Sequence, residues 1–178
     1  GQVCQIRGGN GTGKTTLLRI LCGLSLPDSG DVLWDGSLIG QDPGRFQCDL
    51  AYIGHSNGIK MDLTARENLA FSLTMQSASA STSIDDAIAK AGLSGSGNLL
   101  CRLLSAGQRR RVAIARLYLT SASLWVLDEP LGAIDADGIQ DIENALEEHL
   151  SRNGMVILTT HQPLHLGHGA ACTVQLGD

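Results

Sequence analysis

Apolar residues in this chain form short runs that alternate with segments of helical spacing, and glycine-rich turns separate them. The runs predict strands at residues 3–6, 31–34, 50–53, 124–127, 155–159 and 172–176, and the helical spacing predicts helices at 15–22, 64–75, 83–91 and 138–150. The run 124–127 is apolar throughout, which is typical of a strand buried on both faces of a parallel sheet. Strands alternating with helices predict an α/β class with a mostly parallel sheet.

Composition narrows the function classes. The 178 residues fit one domain, and a net charge of −5 with only 3% aromatic residues gives no reason to expect a nucleic-acid partner. The five cysteines are scattered without a CxxC pair, so neither a disulfide framework nor a thiolate metal site is expected. No apolar run approaches the roughly 18 residues that a membrane-spanning helix needs.

A phosphate-binding loop follows the first predicted strand and precedes the first predicted helix. The pattern GxxxxGK[ST] covers Gly8, Gly9, Asn10, Gly11, Thr12, Gly13, Lys14 and Thr15, with Thr16 next in the helix. Glycines there let backbone N–H groups surround a phosphate, while Lys14 can reach the β- and γ-phosphates and the Thr15 hydroxyl can bind Mg²⁺. The alternative, a chance glycine-rich turn, is disfavoured by this strand-to-helix setting.

A second acidic site follows the buried run 124–127. Asp128 is expected to hold Mg²⁺ through water, and Glu129 is expected to act as general base for the attacking water. The alternative is a strand-ending pair of carboxylates that only caps the next loop. Their place at the carboxyl end of a strand, where open α/β sheets bind ligands, favours the catalytic interpretation.

A further helix start lies at Ser105, which has capping-box spacing to Gln108. The arginine run 109–111 that follows is expected to form a solvated helix face rather than a nucleic-acid patch, given the net charge. The segment Leu104–Gln108 reads LSAGQ. It resembles the LSGGQ signature of ATP-binding cassette (ABC) ATPases, and it stands in that family's order between the phosphate loop and the Asp128–Glu129 pair.

Two more motifs extend the resemblance over essentially the whole chain. Residues 132–135 (GAID) resemble the D-loop, and His161 stands at the position of the switch histidine. The resemblance implies a single P-loop NTPase domain of the ABC type spanning residues 1–178, with an inserted helical subdomain at about 55–120. His165 and His168 could form a metal-binding set with His161, but Pro163 and Gly167 argue against the continuous helix that this would need.

The family mechanism implied by this resemblance uses ATP and Mg²⁺ and two domains paired head to tail. Each ATP would lie between the phosphate loop of one copy and the signature residues Ser105, Gly107 and Gln108 of the other, with Asp135 nearby. His161 would contact the γ-phosphate and hold the attacking water. In the family an upstream aromatic residue stacks on adenine. None precedes Gly8 here, so we expect the 178 residues to be a fragment without N-terminal strands that binds ATP weakly.

One subfamily resembles this chain more closely. His55 stands where ABC proteins generally carry glutamine, and the stretches 52–55 (YIGH) and 63–69 (LTARENL) resemble the ATPase subunits of haem exporters in cytochrome c biogenesis. Asn57 and the pair 131–132 (LG) depart from that pattern. The resemblance implies integral-membrane permease subunits contacting residues 55–73, and a peripheral location on the cytoplasmic side of the bacterial inner membrane. The alternatives are the ATPase of another exporter and a soluble ABC ATPase without a transport role.

Overall fold

The computed structural model of the protein describes residues 1–75, 82–167 and 170–177. The strands are β1 (Gln2–Arg7), β2 (Leu33–Trp34), β3 (Ser37–Leu38), β4 (Leu50–Ile53), β5 (Leu124–Asp128), β6 (Met155–Thr159) and β7 (Ala170–Gln175). The helices are α1 (Lys14–Leu21), α2 (Pro43–Asp49), α3 (Ala65–Thr74), α4 (Ile84–Lys90), α5 (Ala106–Ala115) and α6 (Ala136–Ser151), with 3₁₀ turns at Cys101–Leu103 and Arg116–Leu119. His168 lies outside the described residues.

The main sheet has five strands in the order β4-β5-β6-β1-β7, and every neighbouring pair is parallel. All residues of β5 are buried, as its continuous apolar run predicts. In the register, Asp128 at the end of β5 lies opposite Thr159 at the end of β6. Because parallel strands end at the same edge, the segments that follow β1, β5 and β6 converge there.

Helices pack against both faces of this sheet. On one face, Leu18 of α1 and Phe46 of α2 pack against strand residues that include Val126. On the other face, Leu146 of α6 packs with Leu158 of β6 and their neighbours. The arrangement is the α/β architecture that the alternation of elements predicts.

The predicted insertion between β4 and β5 is helical, and it has a core of its own. Leu69 of α3, Ala87 of α4 and Val112 of α5 belong to one buried cluster. Ala113 and Ile114 of the same α5 belong instead to the cluster against the sheet. Helix α5 therefore joins the insertion to the sheet, and it carries side chains into both cores.

Two local features differ from the sequence-based prediction. Helix α2 was not predicted, although Asp42 accepts a hydrogen bond from the Arg45 N–H (3.1 Å) and Pro43 stands in its first turn, both ordinary helix-start signals. The predicted strand 31–34 is reduced to β2, which pairs with β3 through a two-residue turn. Asp35 and Gly36 have φ values of 51° and 75°, as a tight hairpin turn of this hand requires.

No helix within the described ranges combines the length and the apolar character needed to cross a bilayer.

Candidate active site

The loop between β1 and α1 is shaped by glycine. Gly11 and Gly13 have φ values of 81° and 90°, which side chains other than glycine rarely allow. Gly8 has no room for a side chain, since a Cβ there would lie 2.5 Å from the Thr12 Oγ1 and 2.7 Å from the Leu176 carbonyl oxygen. Gly13 caps α1 without a side-chain hydrogen bond, so N–H groups of the first turn remain available to an anion.

The Lys14 ammonium lies over this loop. Its Nζ donates to the carbonyl oxygens of Gly8 (2.8 Å) and Gly9 (2.9 Å). Lys14 also lines a cavity of about 360 Å³ between the phosphate loop and the segment after β6, which includes His161. The loop residues Asn10 and Thr16 are exposed. The positive charge of Lys14 therefore faces space bounded by the loop and by His161.

Asp128 is fixed by two hydroxyl groups from two different elements. Its side chain is almost fully buried, at 1% exposure. Thr15 donates from Oγ1 to Asp128 Oδ2 (2.8 Å), and Thr159 donates from Oγ1 to Asp128 Oδ1 (2.8 Å). The carboxylate is thereby held against the phosphate loop, beside the hydroxyl group that the sequence also assigns to Mg²⁺.

Glu129 begins a strained turn directly after β5. It has a φ of 49°, in the left-handed region, and its N–H donates to Thr159 Oγ1 (2.9 Å). Its Oε1 is buried and accepts no hydrogen bond in the described part of the chain, while His161 Nε2 lies 3.4 Å away. A carboxylate oxygen is thus left free for a proton, beside an imidazole.

The signature and D-loop residues form a second group. Ser105 and Gln108 make a reciprocal capping box at the start of α5, with Ser105 Oγ accepting from the Gln108 N–H (3.1 Å). A Cβ on Gly107 would lie 2.7 Å from the carbonyl oxygen of Ala133 in the D-loop. Asp135 caps α6 and pairs with Arg111, and that guanidinium lowers the pKa of the Asp135 carboxyl.

This second group is separate from the phosphate loop within one chain. Across the described residues, no hydrogen bond or salt bridge joins Ser105, Gly107 or Gln108 to residues 8–16. His55 is exposed in the loop after β4. The structure therefore brings Lys14, Thr15, Asp128, Glu129 and His161 together, and it leaves Ser105, Gly107, Gln108, Asp135 and His55 outside that cluster.

Two residues at the site were missed by sequence reasoning. Thr159, fully buried, links Asp128 to Glu129, but in sequence it is only the last residue of a strand. The expectation of a solvated arginine face is wrong for Arg110, which is 4% exposed and points into the core beneath the Glu129 turn. The burial depends on contacts with residues 54–57 and 128–130, which are distant in sequence and carry no local signal.

Comparison with known proteins shows the family to which the chain is related. The family model described as ABC transporter matches residues 1–132. The cytochrome c biogenesis ATP-binding export protein CcmA of Aliivibrio fischeri is 46% identical over 178 residues, which is 100% of this chain and 87% of that protein. The CcmA protein of Salmonella typhi is 50% identical over 175 residues, covering 98% of this chain and 82% of that protein.

Solved structures show the same fold. The ATP-binding cassette MJ0796, in a dimeric post-hydrolysis state bound to ADP and Pi, has a TM-score of 0.79 and 25% identity, over 90% of this chain and 75% of that one. A Pyrococcus furiosus protein, described as the ATP-binding protein of an ABC transporter, has a TM-score of 0.80 and 24% identity, over 98% of this chain and 84% of that one. The chain therefore belongs to the ABC transporter family, and it is an ATP-hydrolysing domain of that family.

Proposed function

We propose that this chain is the ATPase subunit of a transporter for cytochrome c biogenesis, whose transported species is haem. The observation that carries the proposal is the convergence of Lys14, Thr15, Asp128, Glu129 and His161 at one edge of the sheet, in a chain about half identical to CcmA proteins. The residues at that edge support ATP hydrolysis, and the similarity to CcmA proteins supports a role in cytochrome c biogenesis.

Phosphate binding is assigned to the loop between β1 and α1. Backbone N–H groups of Gly8–Thr16 surround the β-phosphate, with Gly9, Asn10, Gly11, Thr12 and Gly13 forming the curve. Lys14 exchanges its carbonyl contacts at Gly8 and Gly9 for phosphate oxygens, since a charge-assisted bond to phosphate is stronger than one to a neutral carbonyl. Thr16 extends the set of N–H donors into the first turn of α1.

Magnesium is assigned to the pair Thr15 and Asp128. Their oxygen atoms lie 2.8 Å apart, and hydroxyl and carboxylate oxygens are the hard donors that this ion prefers. Bound by these two residues, Mg²⁺ would supply positive charge that neutralises the phosphates of ATP. Thr159 holds the other carboxylate oxygen, so Asp128 keeps its orientation when Thr15 changes partner.

Glu129 is the general base in this proposal. Its buried Oε1, free of hydrogen bonds, accepts the proton of the water that attacks the γ-phosphate. His161, with Nε2 3.4 Å from that oxygen, contacts the γ-phosphate and orients the same water. The left-handed turn at Glu129 directs the carboxylate towards that water.

A second copy of the chain completes the site. Ser105, Gly107, Gln108 and Asp135 lie apart from the phosphate loop, and the N–H groups of Ala106 and Gly107, which the capping box of α5 does not use, suit a γ-phosphate. A head-to-tail pair places these residues of one copy over the ATP held by the other. The dimeric state of the related cassette bound to ADP and Pi supports this arrangement.

The membrane partner is assigned to the face beside His55. A cavity of about 740 Å³ lies between the edge strand β4 and helix α3, and Phe71 and Met75 on its rim are 46% and 74% exposed. We assign it to a cytoplasmic segment of permease subunits of the haem-exporter type, with the chain peripheral on the cytoplasmic side of the bacterial inner membrane. His55 takes the place of the family glutamine between this face and the ATP site.

Complementation tests this function. The complete gene is expressed as wild type, Glu129→Gln or Glu148→Gln in a bacterium lacking its own copy, and haem bound covalently to c-type cytochromes is scored. Wild type and Glu148→Gln, which changes a carboxylate on the surface of α6, are expected to restore the cytochromes, whereas Glu129→Gln is not. Restoration by Glu129→Gln would contradict the base assignment, and failure of stably expressed wild type would contradict the haem-exporter assignment.

A further inference from the structure

Arg110 of α5 carries a buried guanidinium. Its exposure is 4%, and no carboxylate lies within salt-bridge distance of it among the described residues. Its donors instead meet five neutral oxygens, namely the carbonyls of Asp128 (2.7 Å), Glu129 (2.9 Å), Pro130 (3.3 Å) and Gly54 (2.8 Å) and the side-chain Oδ1 of Asn57 (3.1 Å). Burial of a charge at this depth requires such complete hydrogen bonding.

These five oxygens belong to two loops that follow neighbouring parallel strands. Residues 128–130 form the end of β5 and the turn that carries Glu129, and residues 54–57 form the loop after β4 that carries His55. The two strands pair directly, with Ile53 opposite Leu127, so both loops leave the sheet side by side. The guanidinium lies between them, and a planar group with five donors can bond both at once.

We propose that Arg110 is a positioning residue for hydrolysis, whose guanidinium fixes the backbone turn that aims Glu129 and ties this turn to the loop Gly54–Asn57. The proposal rests on the proposed function, because Glu129 and the loop beside the permease have their roles there. A shift of the loop on the permease side then moves the Glu129 turn through one side chain. Asn57, the departure from the haem-exporter pattern, supplies the only side-chain acceptor of this link that the described structure shows.

Arg116 provides a natural comparison at the same loop. Its Nη2 donates to the Asn57 carbonyl oxygen (2.9 Å) and its Nε to the Ala113 carbonyl oxygen (3.1 Å). It makes no hydrogen bond to residues 128–130 in the part of the chain that the structure describes. Arg116 therefore supports the loop alone, whereas Arg110 supports the loop and the catalytic turn.

The first test compares steady-state ATP hydrolysis by the complete transporter carrying Arg110→Lys, Arg110→Gln or the surface control Arg102→Gln. Lysine keeps the charge but cannot bond both loops, so both Arg110 variants are expected to lower kcat by about 10- to 100-fold, as loss of positioning does. The KM for ATP is expected to change less than about threefold, because no phosphate-loop residue is touched. The Arg102 side chain pairs with the exposed Asp62, and its variant is expected to match wild type.

If Arg110 only stabilised the fold, its variants would show a loss of folded protein rather than a specific loss of kcat. Thermal unfolding and binding of a fluorescent ATP analogue are measured on the same samples, and both are expected to show folded, nucleotide-competent protein. Arg110→Lys with kcat within about twofold of wild type would overturn the proposal, as would a KM rising in step with the fall in kcat. A fall in kcat fully accounted for by a smaller folded fraction would overturn it as well.

A milder substitution, at Asn57, tests the proposal even if the Arg110 variants fold poorly. Asn57→Ala removes one acceptor from a surface loop and is expected to reduce the stimulation of ATP hydrolysis by the membrane subunits about threefold or more, in line with coupling between contacting groups. In the Arg110→Gln background the same change is expected to add nothing. Full additivity of the two substitutions, or unchanged stimulation in Asn57→Ala, would overturn the link between the loops.

The outcome also separates this proposal from the proposed function. If Glu129→Gln abolishes hydrolysis while Arg110→Lys leaves kcat unchanged, the function stands and the positioning role fails. If Glu129→Gln retains hydrolysis, the base assignment fails irrespective of Arg110.

Discussion

Asp128 is held by two hydroxyl groups rather than by a positively charged side chain, and this difference affects its ability to bind a cation. A lysine or arginine paired with this carboxylate would compete directly with a divalent cation, whereas Thr15 and Thr159 orient it without neutralising it. Thr159 also accepts a hydrogen bond from the Glu129 N–H, so one hydroxyl fixes both acidic residues. At the scale of single residues, the orientation of the acidic pair depends on a threonine that no motif identifies.

Thr159→Val tests this role with a side chain of nearly the same shape. The substitution removes the hydrogen-bond donor to the buried Asp128 Oδ1 and the acceptor of the Glu129 N–H. We expect a loss of about 1–3 kcal/mol in the free energy of unfolding, the usual cost of unsatisfied buried polar groups. We also expect kcat for ATP to fall, since Glu129 loses a constraint.

Urea unfolding and steady-state hydrolysis measure the two effects. Thr159→Ser keeps the hydroxyl and is expected to lie close to wild type in kcat. If the valine variant matched the serine variant in both measurements, the bridging role of Thr159 would be wrong.

Secondary-structure elements transmit these constraints, and α6 shows how. Its first residues are capped by Asp135, and near its other end His149 stacks on Trp125 of β5 with ring centroids 3.9 Å apart. His149 Nε2 also lies 3.3 Å from the Met155 carbonyl oxygen at the start of β6. The end of α6 is thereby attached to two strands of the sheet by one imidazole.

That attachment predicts a pH dependence of stability. Burial lowers the pKa of His149 below its usual value, so the folded state binds this proton less readily than the unfolded chain. The stability contribution is complete above the unfolded pKa of about 6.5 and declines as pH falls from there towards the lower folded pKa. We expect the urea concentration at the unfolding midpoint to decrease as the pH is lowered from 7.5 to 5.5.

Replacing His149 isolates its share of this decline. His149→Phe keeps a flat ring against Trp125 but cannot be protonated, so its urea midpoint is expected to fall less over the same pH range. His55→Gln removes an exposed imidazole and serves as the control, with a decline like that of wild type. An equal decline in the phenylalanine variant would assign the pH dependence to other groups.

The whole molecule shows which parts of this fold sequence reasoning can reach. Strands β5 and β6 and the phosphate loop were predicted because continuous apolar runs and glycine spacing are local patterns. The burial of Arg110 is not predicted, because it depends on contacts with loops about 20 and 55 residues away along the chain. Only the tertiary structure brings these loops together. Predictions from local sequence patterns miss residues such as Arg110 and Thr159, whose side chains contact segments that are distant in sequence.

At the scale of the whole molecule, the proposed head-to-tail pair gives the last prediction. Lys14 and Ser105 lie in separate parts of one chain, and in the head-to-tail pair that we propose each ATP is held by Lys14 of one copy and Ser105 of the other. A Lys14→Ala chain and a Ser105→Arg chain are each expected to lack hydrolysis alone. Mixed within the complete transporter, they form one intact site, since the Ser105→Arg copy supplies Lys14 and the Lys14→Ala copy supplies Ser105.

Hydrolysis by the mixture is therefore expected to reappear at a fraction of the wild-type rate, and steady-state phosphate release measures it. Introducing Glu129→Gln into the Ser105→Arg chain removes the base from the intact site and is expected to abolish the recovered activity. The same substitution in the Lys14→Ala chain falls at the site that is already disabled, and it is expected to leave the recovery unchanged. Equal loss from both placements would contradict the head-to-tail arrangement, because only that arrangement makes the two copies unequal.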